Sequence, residues 1–555
     1  MTTDLIILFC LIPLTTGLIT VTAVNNLLLS RLLGMVSFAS MLLLAVGLLI
    51  FSHRHDGAVL VSTIGDWPAR YGINVVFDSL SGLLIAAAAA VSLGSYIHSF
   101  MSMSPRTERR YFHPLMQMLI FGVNLSFLTG DLFNLFVGFE VMLMASYALL
   151  AIGGSRRQLT QAYKYVLLNL IASTIFVMAA GMTYGMFGTL NMAELSHIVH
   201  TRVAAGEPMP TGFPALAVTL LIVFGLKGAF FPLWFWLPDT YYTAPIAVAG
   251  LFGGLLTKVG VYAVARTFPL IFAAADESRT VVAPIIAVSA AFTMFLGVLG
   301  AVSHHEIRRI LSIHVISQVG YMVFGIAIGV SVSEARIGPH SLAAYALAGC
   351  VFYMIQHMVV KCSLFLCCGL MERHTGTDDL DHMGGLLKRD GLLALLFFIA
   401  AMSLVGLPPL SGFFGKLTII KAGWEHYWGL SMFGLATGLL TLLSMLKIWS
   451  YAFWNPAPTT QPQRDAGAAR RWNRSPLAPG YVGVAMLVIL ALFLGFFAEP
   501  VYRIAFTAGE QLDNPEAYIH AVLDPHTLEE IEYAARDGAG ERVGASAGGA
   551  AEVRR

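Results

Sequence analysis

The sequence predicts an all-α polytopic membrane protein with about 14 transmembrane helices. Of its 555 residues, 57% are hydrophobic and 12% are charged, whereas a soluble domain has about 25% charged residues. Apolar runs near the ~20 residues that a bilayer requires recur along nearly the whole chain. Two of these runs contain an internal proline break, which a membrane protein tolerates only where the break is surrounded by protein or water. A net charge of +1 gives no reason to expect a nucleic-acid partner.

Each predicted helix corresponds to one apolar run. The runs lie at approximately 4–24, 32–52, 77–100, 111–129, 132–152, 161–187, 214–237, 244–270, 281–302, 307–330, 341–371, 391–422, 429–454 and 478–505. The five cysteines all lie within such runs and lack zinc-finger spacing, so we interpret them as small buried hydrophobic residues. Beyond about 505 the chain turns polar and predicts a largely disordered tail.

Basic residues in the loops predict the orientation, since lysine and arginine concentrate on the cytoplasmic side. The loops after odd-numbered runs hold 16 of them. The loops after even-numbered runs hold 7, with Arg266 counted among these loop residues. Both termini are therefore predicted to lie outside.

Lysines occur at unusual positions in this chain. Only eight are present, and five lie inside apolar runs at least five residues from either end: Lys227, Lys258, Lys361, Lys416 and Lys447. A lysine at the centre of a membrane helix adds roughly 2.5–3.5 kcal/mol to the free energy of insertion. A buried lysine can release its proton near neutral pH, whereas arginine keeps its proton in any surroundings. The pattern indicates a buried row of proton-exchanging bases. For Lys447, near a helix end, a side chain that reaches the headgroup region is the alternative.

Glu140 is the one carboxylate that lies well inside an apolar run. A buried carboxylate becomes neutral or pairs with a cation. We expect it to pair with Lys227, either as a structural ion pair or as a switch that controls whether Lys227 keeps its proton.

Two histidines extend the row of bases. His314 lies in the tenth run, and His357 lies in the eleventh, four residues before Lys361. Residues four apart share a helix face, so His357 and Lys361 are expected to act together as a proton relay. The alternative is a hydrogen-bonded packing role for the histidine.

Short matches relate runs four to eight to runs nine to thirteen. They are Glu140 and His314 seven residues before Tyr147 and Tyr321, the string GLLT at 254–257 and 438–441, and the breaks at Pro232 and at Pro408–Pro409. Repeats with an odd number of spans are inverted, and interrupted helices at corresponding positions point to a transport path. The sequence therefore predicts two inverted five-helix repeats, each with a broken helix.

Five motifs carry a resemblance to a known family: FEVMLMASYALL, GLKGAFFPLWFWLPDTYYTAP, LLTKVGVYAVAR, RRILSIHVISQVGYM and GLPPLSGFFGKL. The chain resembles the antiporter-like subunits shared by respiratory complex I, membrane-bound hydrogenases and the Mrp (multiple resistance and pH) cation/proton antiporters. Through DLFNLFVGFEVMLMASYALLAIGG it looks most like the D-type subunits of Mrp complexes. A-type subunits carry extra C-terminal membrane helices and L-type subunits of complex I carry a long lateral helix, for which this tail has no apolar run.

The resemblance implies a multi-pass subunit in a prokaryotic inner (plasma) membrane that exchanges protons for Na+, with Li+ or K+ as alternatives. It implies no nucleotide or redox cofactor, and it implies partner membrane subunits of the A, B, C, E, F and G types within the lipid bilayer. The sequence itself shows no sodium site. The resemblance maps the proton path onto Glu140, Lys227, Lys258, Lys361 or His357, and Lys416. The residues themselves add His314 to the predicted path and leave Lys447 open.

Three interpretations of the function remain: a subunit of a cation/proton antiporter, a proton-pumping subunit of a redox enzyme, and a scaffold whose charges only hold helices together. The expected plan comprises N-terminal helices at 1–110, a first repeat at 111–270, a second repeat at 281–454, a basic cytoplasmic loop at 455–477, a last helix at 478–505 and a polar tail at 506–555.

Overall fold

The fourteen predicted helices are all found. The computed structural model describes residues 3–332, 336–337, 340–457 and 477–523. Within these residues, eleven helices are long and apolar enough to cross a membrane, and three shorter apolar helices bring the number to fourteen. The prediction of a polytopic helical membrane protein is therefore confirmed. Most of the basic loop predicted at 455–477 lies outside the described residues.

The N-terminal part contains three membrane helices and a small hairpin. After a 3-10 turn at Asp4–Ile7, its elements are α1 Leu8–Thr22, α2 Leu27–Arg54, β1 Leu60–Thr63, β2 Asn74–Phe77, α3 Ser79–Ser102 and the short α4 Pro105–Glu108.

The first set of five spans contains an interrupted fourth helix. Its elements are α5 Phe112–Leu128, α6 Leu132–Ala151, α7 Arg156–Phe187, the short α8 Met192–Ala204, α9 Phe213–Gly228, α10 Leu237–Thr243 and α11 Ile246–Thr267, which continues as a π-helical turn over Phe268–Phe272.

The second set repeats this order and again interrupts the fourth span. Its elements are α12 Asp276–Ser303, α13 Ile307–Ser331, β3 Arg336–Ile337, β4 His340–Ser341, α14 Leu342–Thr375, α15 Leu386–Arg389, α16 Gly391–Val405, α17 Ser411–His426 and α18 Trp428–Trp449 with a π-helical turn at Ser450–Trp454. The predicted breaks at Pro232 and at Pro408–Pro409 both fall in the interruptions, because proline has no backbone N–H to continue a helix.

The C-terminal part differs from its prediction. The helix predicted at 478–505 ends earlier as α19 Ala478–Phe496, and two more helices follow, α20 Ala498–Asp513 and α21 Glu516–Val522. The prediction of a disordered tail from 506 is therefore wrong for residues 506–523. Alternating polar and apolar residues in α20 hid an amphipathic helix, which buries Ala505, Ala508 and Leu512 against the bundle.

Three helices form the centre of the bundle. The apolar windows of α11, α13 and α14 are entirely buried, whereas fewer than half of the window residues of α1, α2, α7 and α18 are buried. The outer helices thus present an apolar surface to lipid or to other proteins, whereas the inner helices are shielded from both. This arrangement matters for the site, because α11, α13 and α14 carry most of the buried bases.

The antiparallel hairpin β1–β2 marks one end of the bundle, called here the hairpin end. The Arg70 side chain at its tip pairs with the buried Glu194 of α8. Gln511 of α20 donates to the Gly57 carbonyl at 2.7 Å, which brings the C-terminal helices to the same end. The all-α prediction did not include this hairpin, because a four-residue strand between two long apolar runs leaves little signal.

Asp131 begins α6 at the hairpin end, and its Oδ1 accepts a hydrogen bond of 2.8 Å from the Asn134 amide. Burial raises the pKa of Asp131 to about 6, although backbone amides at its helix N-terminus act in the opposite direction. The folded pKa exceeds the unfolded value of 3.8, so stability from this group is fully present at low pH and is lost as pH rises through 6.

An Asp131→Asn variant is expected to keep the cap and to lose this penalty. Its midpoint of thermal unfolding should exceed that of the wild type by roughly 1–3 °C at pH 8, and the gap should close near pH 4. Differential scanning fluorimetry of the purified protein across this pH range would measure the gap. A gap that is constant with pH would contradict the assignment.

Candidate functional site

The structure brings the buried bases together on adjacent helices. Apart from Glu140 of α6, the side chains of the predicted path are at most 6% exposed. They are Lys227 on α9, Lys258 on α11, His314 on α13, His357 and Lys361 on α14, and Lys416 on α17.

The pairing of Glu140 with Lys227 is present. The Lys227 Nζ lies 3.9 Å from Glu140 Oε1, and the side chains are 2% and 30% exposed, respectively. Lys227 Nζ also stands 4.9 Å from the centroid of the Phe139 ring, a favourable position for a cation.

Ser173 of α7 connects the two charged groups. Its hydroxyl donates to Glu140 Oε1 and accepts a hydrogen bond of 3.3 Å from Lys227 Nζ. Sequence analysis missed Ser173, because a single serine on a membrane helix gives no signal of a distant partner. Its hydroxyl thus bridges the carboxylate and the ammonium.

The first helix break is held by α12. Phe231 follows α9, and its amide donates to Thr293 Oγ1 at 2.8 Å while its carbonyl accepts from Ser289 Oγ at 3.0 Å. The indole Nε1 of Trp236 donates to the Leu226 carbonyl at 3.0 Å. Three backbone polar groups at the break are thus hydrogen bonded to side chains. Because α12 opens the second set, the break beside Lys227 is fixed by the neighbouring set of helices.

Close packing of α11 against α9 positions Lys227. A Cβ atom added at Gly260 would lie 2.4 Å from the Gly228 nitrogen and 2.7 Å from the Lys227 carbonyl carbon. Because both neighbours are backbone atoms, they cannot move aside independently. Glycine at this position therefore allows the approach of the two lysine-bearing helices.

A Gly260→Ala variant is expected to lose about 1–3 kcal/mol of stability and most of its activity, because α9 and its lysine must shift. The matched control is Gly181→Ala on α7, where an added Cβ meets nothing within 4 Å. Thermal unfolding and vesicle transport assays on both variants would measure the two effects. Equal behaviour of the two variants would contradict the role of Gly260.

Lys258 and His357 occupy the centre of the bundle. Lys258 Nζ donates to the Gly253 carbonyl at 2.7 Å and to Thr257 Oγ1 at 3.2 Å. Neither ring nitrogen of the buried His357 has a hydrogen-bond partner among the described residues, so both are available to a mobile proton or water.

His357 lies on α14, one turn before Lys361. This helix packs against α11, α13 and α17, which carry Lys258, His314 and Lys416. The Lys361 ammonium is held by the Leu311 carbonyl of α13 at 2.9 Å. His357 is therefore the point where the two halves of the row meet.

The second half of the row ends at Lys416, beside the second helix break. Its Nζ donates to the carbonyls of Leu404 and Val405 at 2.9 and 3.0 Å, at the C-terminal end of α16. The negative end of a helix dipole stabilises a cation there. The ring centroids of Tyr321 and Tyr353 lie 4.7 and 5.7 Å from the same ammonium.

A hydrogen-bonded chain extends from His314 toward Lys416. His314 Nε2 lies 2.9 Å from Ser444 Oγ, and its Nδ1 lies 3.3 Å from Ser317 Oγ. Gln318 Nε2 donates to Ser317 at 2.9 Å, and its Oε1 accepts from the hydroxyl of Tyr353. These polar residues were not predicted individually, because hydroxyl and amide side chains are common in membrane helices.

Lys447 has a different position. Its Nζ donates to the carbonyls of Val302 and His304 at 2.6 and 2.5 Å. These carbonyls end α12, so Lys447 caps that helix at the end of the bundle opposite the hairpin. Its contacts favour a structural role at a helix end over a place in the row of bases.

Arg266 is not a loop residue, which corrects its place in the sequence count. It lies within α11, 3% exposed, and its Nη1 is 2.6 Å from Oδ2 of the buried Asp78. The ring of Tyr518 on α21 covers the guanidinium at 5.2 Å. Its position near the end of an apolar run made a loop plausible, and only the tertiary structure supplies Asp78, 188 residues away in sequence.

Within the described residues, no group of three or more His, Cys, Asp or Glu side chains could hold a metal ion. The chemistry that the arrangement offers is proton exchange among amines, imidazoles and one carboxylate. A fourteen-helix bundle with two broken helices and a buried row of bases defines a polytopic membrane protein suited to carrying protons.

Comparison with known proteins agrees with this class. Residues 129–441 match the family described as NADH:quinone oxidoreductase/Mrp antiporter, transmembrane. The chain is 42% identical over 523 residues to the D-type subunit of the Na(+)/H(+) antiporter of Alkalihalophilus pseudofirmus, covering 94% of this chain and 99% of that relative. The corresponding protein of Bacillus subtilis is 37% identical over 522 residues, with coverage of 94% and 99%. This chain belongs to the NADH:quinone oxidoreductase/Mrp antiporter family.

Solved structures show the same fold. A chain of the Mrp complex from Dietzia sp. superposes with a TM-score of 0.81 at 30% identity, covering 94% of this chain and 99% of that one. A chain of respiratory complex I from Thermus thermophilus gives a TM-score of 0.72 at 22% identity, with coverage of 93% and 100%, and shows the likeness of fold alone.

Proposed function

We propose that this chain is the D-type subunit of a multisubunit Na+/H+ antiporter of the Mrp type and carries protons across the membrane. The observation that carries the proposal is the row of four buried lysines and two buried histidines that begins at the Glu140–Lys227 pair. The names of the similar proteins supply the exchanged ion. Sodium is assigned to the complex, not to a site in this chain.

The proposed route uses both halves of the row. A proton reaches Lys258 or the His357–Lys361 face through one half-channel, passes along the central bases and leaves near Lys416. The two five-helix sets, at 111–270 and 281–454, form the two inverted half-channels. His314 and the hydrogen-bonded chain through Gln318 and Tyr353 extend the second half-channel beside Lys416.

The Glu140–Lys227 pair acts as the switch in this route. Because Ser173 lies between them, each charged group can keep its hydrogen bond to the Ser173 hydroxyl as the two begin to separate. While Lys227 is paired it keeps its proton, and when the pair opens the ammonium sits in an apolar environment that favours release toward Lys258.

The exposure of Glu140 supports an assembly with other membrane subunits. Its side chain is 30% exposed on the outer surface of α6, where lipid would otherwise meet a carboxylate. Such a group is costly in hydrocarbon, so a partner subunit is expected to cover this face. The partners are the other Mrp-type subunits, of the A, B, C, E, F and G types.

We propose that the complex lies in a prokaryotic plasma membrane with both termini of this chain outside. This orientation puts the hairpin end outside and the basic loops inside. Cysteines introduced singly at Thr3 and at Arg110 would test it with a membrane-impermeant thiol reagent on intact cells. Labelling is expected at position 3 and not at position 110, and the reverse result would overturn the orientation.

Purification of the native complex in mild detergent, followed by mass spectrometry, tests the function. Several small hydrophobic subunits should accompany the chain, and vesicles containing the complex should show Na+-dependent proton movement. Iron–sulfur or flavin subunits in the preparation would overturn the proposal and assign the same lysines to a redox-driven pump.

A further inference from the structure

A cavity of about 380 Å³ opens at the hairpin end of the bundle, away from the row of bases. It lies between the end of α2, the start of α14 and the middle of α20. Its lining includes the basic or imidazole side chains of His53, His340 and Arg503. The proton route uses none of these residues.

The inner wall of the cavity is aromatic. Tyr345 and Tyr502 both line the cavity, and the Tyr502 hydroxyl lies 3.2 Å from Thr418 Oγ1. The Phe506 ring packs edge-on against His340, with 4.5 Å between ring centroids. These contacts fix the wall, and they leave the tyrosine rings facing an open space at the rim of the bundle.

Basic groups surround this aromatic wall. The Lys421 ammonium stands 5.7 Å from the Tyr345 ring centroid, and Arg503 on α20 forms an exposed ion pair with Glu499 at 2.6 Å. Tyrosine beside lysine, arginine and histidine at the ends of membrane helices is typical of the headgroup layer of a bilayer.

Apolar surface continues directly from the cavity along α2. Ile50 is 48% exposed and Val46 is 43% exposed, one and two turns below His53. A ligand with a phosphate at one end and hydrocarbon at the other would satisfy both surfaces. Free phosphate alone would leave the apolar stripe uncovered.

We propose that this cavity binds a phospholipid, with the phosphodiester between Arg503, His53 and His340 and an acyl chain along α2. The glycerol region contacts the Tyr345–Tyr502 wall. Bound there, the lipid joins the amphipathic α20 to α2 and seals the rim of the bundle. The inference does not depend on which cation the complex exchanges.

Native mass spectrometry of the purified complex, released from detergent micelles, tests the proposal by counting retained phospholipids. The wild type should retain one phospholipid that Arg503→Ala largely loses. The fraction of complexes that carry this lipid should be lowered about fivefold or more in the variant. Thr507→Trp, which fills the cavity and leaves its charges in place, should lower retention to the same extent. Arg54→Ala is the matched control, a basic residue at the end of α2 that does not line the cavity.

Each other outcome overturns the proposal. Equal retention in all four proteins would show that lipid binds without this cavity. Release of the lipid by inorganic phosphate at millimolar concentration would make the cavity an anion site. A disulfide cross-link from Arg503→Cys to another member of the complex would make it a protein interface.

Discussion

Complexes that carry Glu140→Gln are expected to assemble normally and to lose proton-coupled exchange. The substitution keeps the size of the side chain and its hydrogen bond with Ser173, and it removes the charge that faces Lys227 at 3.9 Å. If the pair is the switch, loss of this charge should lower the exchange rate at least about 100-fold, which corresponds to about 2.7 kcal/mol. Lys227→Met should have the same effect from the other side of the pair.

Exchange would be followed by the fluorescence of a pH-sensitive dye in vesicles energised by respiration and then supplied with Na+. The matched control is Lys164→Met, an exposed lysine on α7, the helix that carries Ser173. Assembly would be checked by the elution volume of the purified complex. Exchange at the wild-type rate in Glu140→Gln or Lys227→Met would remove the pair from the mechanism.

The second large effect is expected from a comparison of two lysines. Lys416→Met should abolish exchange. Methionine has nearly the same volume and fills the same place between the Tyr353 ring and the end of α16, but it cannot carry a proton. Lys447→Met should retain exchange and lose only about 0.5–1 kcal/mol of stability, the usual value of a cation at a helix C-terminus.

The two variants would be compared by initial exchange rate and by thermal unfolding of the purified complex. This pair of measurements separates transport from structure, since both substitutions remove one positive charge from the same set of helices. If both variants exchange at the wild-type rate, the buried lysines hold helices together and carry no protons. If Lys447→Met alone fails, the route leaves through α18 instead of beside Lys416.

Much of the fold was predictable because the bilayer imposes a length on each apolar run. The fourteen runs matched fourteen helices, and the prolines at 232 and 408–409 marked both interruptions. The elements that were missed lie between or after the apolar runs, except for the first half of α20, which falls within the run at 478–505. The hairpin β1–β2 and the helices α20 and α21 have mixed composition, and their structure depends on packing against α3, α8 and α14.

The path residues were predictable for a related reason. A lysine inside an apolar run is costly enough to stand out without any structure, as Lys227 and Lys416 do. Ser173, Gln318 and Tyr353 did not stand out, because such residues bury easily in helical bundles. The Asp78–Arg266 pair was missed because Asp78 lies just before α3 and Arg266 just before the end of α11.

By itself, the sequence determined that this is a many-helix membrane protein with rare charges in its interior, since hydrophobicity and the cost of burying charge are local properties of each run. The tertiary structure decided which charges face one another. It placed Ser173 between Glu140 and Lys227 and the Lys447 ammonium at the end of α12. It also left both ring nitrogens of the buried His357 without a hydrogen-bond partner among the described residues. Those outcomes depend on how helices distant in sequence rotate and pack, which no single run encodes.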